Sequence, residues 1–234
     1  VVVLIPTLLI LKEPDLGTPV VIVATVMLML FIAGVPLRHL ALIVASAVPP
    51  LIALVWFVPY RMRRLIVFLN PDADPLNTGF QIRQSLIAIG SGKINGVGLG
   101  MSVQKKHYLP EAHTDFAFAI IGEELGFVGA ALTLLLFLML FIVMYAITRS
   151  IKDMFGHLVA AGIMSMLALQ TLINVGVVTG CLPTKGLALP FISYGGSSLV
   201  MTLAACGLLL NIMRNQRNLR VETGTVGRGG ETIV

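Results

Sequence analysis

Charge is what this sequence has least of. Only 12% of its 234 residues are Asp, Glu, Lys or Arg, about half the share that a soluble domain carries. The deficit is concentrated in long uncharged runs that can cross the roughly 30 Å hydrocarbon core of a bilayer, a distance that takes about 20 apolar helical residues. With 57% hydrophobic residues and a mean hydropathy of +0.95, the composition excludes a soluble protein built round one large core. Cysteine is scarce as well. Cys181 and Cys206 are too few for a disulfide framework, and Cys206 sits deep in an apolar run, so both read as structural. Neither an initiator methionine nor a signal peptide opens the sequence. The first run, Val1–Leu11, is too short to span and reads as the tail of a helix, so the chain is expected to be the C-terminal part of a longer protein.

What is there is a series of apolar segments, at about 16–33, 40–58, 124–147, 157–181 and 197–213. Lipid leaves only helices and closed barrels able to satisfy their own backbone. The expected fold is therefore all-α, a polytopic integral membrane bundle of about five complete spans plus the end of a sixth. It forms one transmembrane domain over 1–213, followed by a flexible tail, 214–234. Arg38, Arg149, Lys152, Arg214, Arg217 and Arg220 fall on one side of these spans. The short links on the other side carry only Lys12 and Lys185. Positive residues in short loops mark the cytoplasmic side, so the C-terminus is expected there and the large loop, about 59–115, on the outer face.

That loop holds Arg61, Arg63, Arg64, Arg83, Lys93, Lys105 and Lys106. A solvated loop touching lipid phosphates explains them, and charge alone favours that reading; an anionic ligand such as a pyrophosphate is the sharper alternative. Asn70–Pro75 is turn-forming, and Gln81–Ile89 suits a short amphipathic helix with Ile82, Leu86 and Ile89 on one side, lying in the interface. The glycines from Gly90 to Gly100 do not make a phosphate loop, because Lys93 lacks a following Ser or Thr and no strand precedes them. Flexible chain or close backbone packing is expected instead. Further on, Leu109–Asp115 brings a carboxylate to the mouth of the next span, where Thr114 or Asp115 can cap the helix or do chemistry. Glu123 and Glu124 follow at the span's edge, facing a wet groove, answering the loop's arginines, or simply interfacial.

In the later spans, Gln170 and Asn174 share a helix face, and Gly176 and Gly180 form a small-xxx-small pair, which together read as helix packing. The segment 183–198 combines Lys185, a point charge for phosphate, with hydroxyls and free backbone. Ser197 can donate there or cap the last helix, and a re-entrant path lining a cavity is open to such a segment.

Several of these stretches together resemble one family. They are Asn70-Pro71-x-x-Asp74-Pro75, Gln81–Gly90, Gly96–Gly100, Tyr108–Phe116, Ile121–Gly126, the loop 183–198 and Glu13–Thr18. In this order they resemble the SEDS proteins of bacterial shape, elongation, division and sporulation, over about residues 12–213. Gly98–Lys105 and Pro183–Gly186 look more like its division members than its elongation members. The resemblance implies the C-terminal half of a ten-helix peptidoglycan glycosyltransferase of the bacterial inner membrane, working at the septum. It polymerises lipid II with a class B penicillin-binding protein transpeptidase and other division proteins as partners, and no nucleic acid. Asp115 matches the family's catalytic carboxylate, a general base for a GlcNAc 4-hydroxyl. Arg61, Arg64, Lys105 and Lys185 are the candidates to hold the departing pyrophosphate. Gln81, Glu111, His113, Thr114, Ser193, Gly195, Gly196 and Ser197 complete the candidate substrate site, with His113 suited to orienting the turn. A divalent cation, Mg²⁺ or Mn²⁺, can share the charge, its ligands unassigned. A lipid II flippase and a non-catalytic scaffold are the alternatives.

Overall fold

The computed structural model describes residues 9–10, 17–75 and 77–228, and among these it contains helices and no strand. Two apolar helices come first, α1 (Gly17–Ile32) and α2 (Leu37–Trp56), separated by a turn at Gly34 with φ +87°. Next come two shorter ones, α3 (Pro59–Leu69) and α4 (Thr78–Gly92), joined by a 3₁₀ turn at Pro71–Ala73. A single π-type turn, Gln104–Tyr108, precedes α5 (Ala117–Ser150), α6 (Met154–Val178) and α7 (Gly196–Arg228).

Helices therefore stand at all five expected spans. α5, α6 and the Gly196–Gln216 part of α7, of 34, 25 and 21 residues, are long and apolar enough to cross a bilayer. α1 is shorter at 16 residues, about 24 Å, and α2 carries Pro49 and Pro50 in its interior, which remove two helical donors. Two edges differ from expectation. α5 begins at Ala117 rather than near 124, and α7 runs to Arg228, so the backbone of 214–228 is helical where a flexible tail is expected. Proline is absent from that stretch and good helix formers such as Arg, Gln and Leu dominate its first half. The expected link at 12–15 and most of the opening run 1–11 lie outside the described residues, as do 229–234.

The large loop is mostly helical. Pro59 opens α3 at the first helical position, where a missing N–H costs nothing. Asn70 folds the next turn by accepting the Asp72 N–H at 3.1 Å, as its sequence suggests. α4 is longer than the expected 81–89 helix and is not a free interfacial one. Its Ile82, Ser85 and Ala88 are buried against α5 and α6, while Leu86, expected on the apolar face, is exposed.

The crossing of α4 and α5 explains the glycines. A Cβ on Gly92 would lie 1.9 Å from the Gly122 carbonyl oxygen, so only glycine allows this approach. Past Gly92 the chain turns back along a break in α5 at Gly126 (φ 66°, ψ −164°). A broken helix loses hydrogen bonds, and here residues 93–98 replace them. Val97 and Gly98 N–H donate to the Glu123 and Glu124 carbonyls, both at 3.0 Å. Phe127 and Val128 N–H donate to the Lys93 and Ile94 carbonyls at 2.8 and 3.2 Å. Four backbone groups at the break thus find partners outside the helix, as a buried or lipid-facing backbone requires.

α6 starts on Asp153, whose carboxylate accepts the Gly156 N–H at 2.7 Å. It ends at Val178, so Gly180 (φ +72°) lies beyond the helix as a left-handed terminator. Cys181 and Leu182 N–H both return to the Gly176 carbonyl, at 2.7 and 2.9 Å. A Cβ on Gly176 would meet the Leu182 side chain at 2.8 Å. The small pair therefore makes room for the chain's own reversal, not for a neighbouring helix. The α6 glycines that do admit neighbouring helices are Gly162, where a Cβ would lie 2.9 Å from the Met29 sulfur of α1, and Gly156, where it would lie 3.0 Å from Ile212 of α7. One buried cluster, including Leu109, Ala112, Phe116, Phe118, Val178 and Leu189, underlies the loop end of the bundle. A second, around Met144, Leu167 and Leu209, fills the other end. The exposed leucines of α5, among them Leu132, Leu135 and Leu138, form a surface suited to lipid.

Gly96→Ala would place a Cβ 2.1 Å from the Glu124 carbonyl oxygen at a φ of +79°, whereas Gly90 has open space round it. In the full-length protein, Gly96→Ala is expected to cost at least about 2 kcal/mol and to lower the melting temperature in detergent. Gly90→Ala is expected to leave it unchanged or raise it. Equal melting curves for the two variants would mean that the clasp at the α5 break does not hold the fold.

Candidate functional site

The segment Leu109–Asp115 is fixed from below and built from within. Leu109 and Ala112 are buried in the core, leaving Pro110, Glu111 and His113 exposed above them. Glu111 takes the left-handed conformation (φ 55°), and its carbonyl accepts from the Thr114 and Phe116 N–H groups, both at 3.2 Å. The Thr114 hydroxyl donates to the Glu111 carboxylate at 2.8 Å. Phe116 stands at the start of α5 with no side-chain cap, so Thr114 closes the turn on Glu111 instead of capping the helix.

The loop 183–198 is stapled to this segment by two direct hydrogen bonds and by a bridge through Asn174. Ser193 donates its hydroxyl proton to the Thr114 carbonyl and accepts the Leu189 N–H at 2.7 Å. Tyr194 N–H donates to the His113 carbonyl at 2.8 Å. From inside the bundle, the Asn174 amide nitrogen donates to the Asp115 carbonyl at 2.8 Å and to the Leu187 carbonyl at 2.6 Å. The half-buried Asp115 carboxylate consequently lies against the loop, its Oδ2 3.3 Å from where a Cβ on Gly186 would stand. Lys185 is the next residue back. Gly195 and Gly196 close the loop, and the Leu199 N–H donates to the Gly195 carbonyl at 2.9 Å. Ser197 is inside the first turn of α7, so the capping position expected for it falls on Gly195.

Arg64 of α3 reaches this loop. Its Nη1 donates to the Thr184 carbonyl at 3.2 Å, a second nitrogen meets the Tyr60 hydroxyl, and the guanidinium sits 4.6 Å above the Tyr60 ring. These partners are neutral, so they leave its positive charge for an anion. Arg63 pairs with Asp74 at 3.3 Å, and Asp74 also accepts from Asn77 at 3.0 Å. Arg63, Arg64, Asp74, Asn77 and Gln81 line a polar cavity of about 420 Å³. Arg61, by contrast, is buried, only 7% exposed. Lys105 and His113 border a smaller cavity of about 160 Å³, with Tyr194 at its rim and Ala112, Ala117 and Ile120 in its wall.

Glu123 and Glu124 answer a turn and a lysine, not the arginines. Glu123, 2% exposed, accepts from the Ser102 hydroxyl and from the Val103 N–H at 3.1 Å. Ser102 in turn accepts the Lys105 N–H at 3.0 Å, and the Lys105 ammonium lies 3.9 Å from Glu124. Hydrogen-bonding to Ser102 and to backbone N–H groups is what allows a carboxylate to be buried there. Among the described residues, no group of three His, Cys, Asp or Glu side chains could hold a metal ion.

The candidate residues thus gather in two cavities and one stapled junction. Tyr60 and Asn77 carry no sequence signal, and Arg63 and Asp74 stand out there only as a loop cation and a turn residue, not as site residues. The Asn70–Pro75 turn was the available signal for Asp74, which that turn sets opposite α3. Asn174, assigned to helix packing, bonds instead to two loop carbonyls.

Comparison with known proteins finds relatives over most of the chain. The FtsW/RodA/SpoVE family model, described as cell cycle protein, matches residues 1–218. Stage V sporulation protein E of Bacillus subtilis is 50% identical over 210 residues, covering 90% of this chain and 57% of that protein. The probable peptidoglycan glycosyltransferase FtsW of Geobacter metallireducens is 50% identical over 204 residues, covering 87% and 54%. The chain thus spans little more than half the length of these relatives. Among solved structures, a chain from "Structural coordination of polymerization and crosslinking by a peptidoglycan synthase complex" superposes with a TM-score of 0.74 at 33% identity, covering 92% of this chain and 60% of that one. The rod shape determining protein RodA of Thermus thermophilus superposes with a TM-score of 0.60 at 31% identity, covering 92% and 54%. The chain, an all-α multi-pass membrane bundle, belongs to the FtsW/RodA/SpoVE family of cell cycle proteins.

Proposed function

We propose that the protein containing this chain is a peptidoglycan glycosyltransferase that polymerises lipid II, with Asp115 as its general base. The observation that carries this reading is the junction at Asp115. Asp115 presents a carboxylate at the start of a membrane helix, with its own main-chain carbonyl and that of Thr114 held by the Asn174 and Ser193 side chains, against a loop bearing Lys185 and near a cavity lined by Arg64. In the proposed reaction the 4-hydroxyl oxygen of the incoming lipid II's GlcNAc attacks C1 of the growing strand's reducing-end sugar. The bond from C1 to the pyrophosphate oxygen breaks, the hydroxyl proton passes to Asp115, and undecaprenyl pyrophosphate departs. A positioned carboxylate suits the proton transfer. Arg64 and Lys185, with Lys105 on the other side of the turn, suit the developing negative charge. Arg61 can support this field only from inside the bundle, because it is buried. Gln81, beside Arg64, and Glu111, His113 and Thr114, round the turn, are assigned to the sugars.

The described residues build no cage for a divalent cation, and no step above runs through one. Mg²⁺ or Mn²⁺ is assigned here to the pyrophosphate itself, in keeping with the habit of Mg²⁺ of binding through substrate phosphates. The membrane is the bacterial inner membrane, at the septum, with 59–115 and 183–198 on its outer face and the C-terminus inside. A class B penicillin-binding protein and other division proteins are the proposed partners. The complex that couples polymerization to crosslinking, similar in fold to this chain, supports the first of these.

In the full-length protein with its transpeptidase, Asp115→Ala is expected to bind lipid II and to lose polymerisation at least about 100-fold, the loss of a general base. Polymer made at the wild-type rate would take Asp115 out of the reaction. Arg64→Gln is expected to lower the rate about tenfold or more, and an unchanged rate would remove the guanidinium from the leaving-group site. Chelation is expected to stop wild-type polymerisation and added Mg²⁺ or Mn²⁺ to restore it, with no metal retained on desalted protein lacking lipid II. Retained metal would point to a protein-built site.

A further inference from the structure

We infer that Asn174 is a positioning residue for glycan polymerisation, a role that rests on the glycosyltransferase reading, and that it fixes the spacing between Asp115 and the Lys185–Leu187 segment through one side-chain amide. Asn174 is 2% exposed, one turn before the end of α6. That end is held firmly. Val177 and Val178 are buried, and the Ser85 hydroxyl of α4 donates to the Val178 carbonyl at 2.8 Å. The amide projects from this fixed point and spends both protons, one on the Asp115 carbonyl at 2.8 Å and the other on the Leu187 carbonyl at 2.6 Å. Turning the amide over would set its oxygen against two carbonyl oxygens, so the orientation is determined by its partners.

Because one nitrogen serves both carbonyls, the two segments cannot separate by more than two hydrogen bonds allow. They carry the proposed base and its neighbouring cation, and Gly186, between Lys185 and Leu187, is the residue packed against the Asp115 carboxylate. The oxygen of Asn174 meets no protein donor among the described residues. As a mere space-filler a buried amide is therefore inferior to leucine, and the position uses its two donors. Ser193 and Tyr194 clamp the same junction through Thr114 and His113, so loss of Asn174 loosens the spacing without detaching the loop.

The test compares Asn174→Leu and Asn174→Asp with wild type and Asp115→Ala in full-length protein, measuring kcat and KM for lipid II per binding-competent molecule. Asp has the shape of Asn but at most one proton to donate, so it cannot bridge both carbonyls. Both Asn174 variants are expected to lose about tenfold or more in kcat, as misplacement of a reacting group does, with KM changed less than about twofold. A wild-type kcat in Asn174→Asp would overturn the inference, whatever its melting temperature. So would failure of both variants to fold, which would assign Asn174 to the fold alone. Full activity in Asp115→Ala would instead sink the reading on which the inference rests, and the two failures are told apart within one assay.

Discussion

The structure depends on the repair of a broken helix. At Gly126 the α5 backbone leaves helical geometry, and the hydrogen bonds from residues 127 and 128 back to 123 and 124 are lost. The chain that returns from α4 supplies two donors and two acceptors in their place. An uncompensated break would leave four polar groups unpaired, each costing about 1–3 kcal/mol when buried and more in hydrocarbon. The repair also locks α4 to α5, at the contact where Gly92 meets Gly122, and so fixes both elements that flank the site.

From that clasp the chemistry is laid out in order. Glu123, next to the break, folds the turn at Ser102–Gln104 and so sets the backbone from which Lys105 projects. On the opposite side, the buried cluster under Leu109 and Ala112 raises the turn that presents Asp115. The last loop then closes over this turn through the Ser193 hydroxyl and the Tyr194 N–H, each bound to a main-chain carbonyl. Such a site is rigid where its main chain is anchored, which holds its polar side chains in fixed places.

Much of this was legible in the residues. The uncharged runs marked the helices, because a span of roughly 20 residues leaves no room for ambiguity in hydropathy. Asn70 announced its turn, since an Asn side chain bonds the backbone two residues on. The segments at 109–115 and 183–198 stood out as polar chain between apolar spans, and the two meet at the candidate site. Less could be read where partners are remote in sequence. Gly176 and Gly180 carried the spacing of a helix contact, yet one accommodates Leu182 and the other ends the helix. Spacing reports a shared face only as far as the helix continues. Arg61 and Arg64 look alike in sequence, but three residues on a helix rotate by some 300°, enough to bury one and leave the other lining a cavity.

By itself the sequence determined the membrane environment, the all-α class, the positions of the five long apolar segments and the two polar segments that meet at the candidate site. These follow from composition and periodicity, which act locally along the chain. Only the tertiary structure decided that residues 93–98 mend α5, that Glu123 serves Ser102 and not an arginine, and that Asn174 joins Asp115 to Leu187. Each of these is a bond between segments brought together by packing. Its partner depends on where two helices cross, which no local pattern encodes.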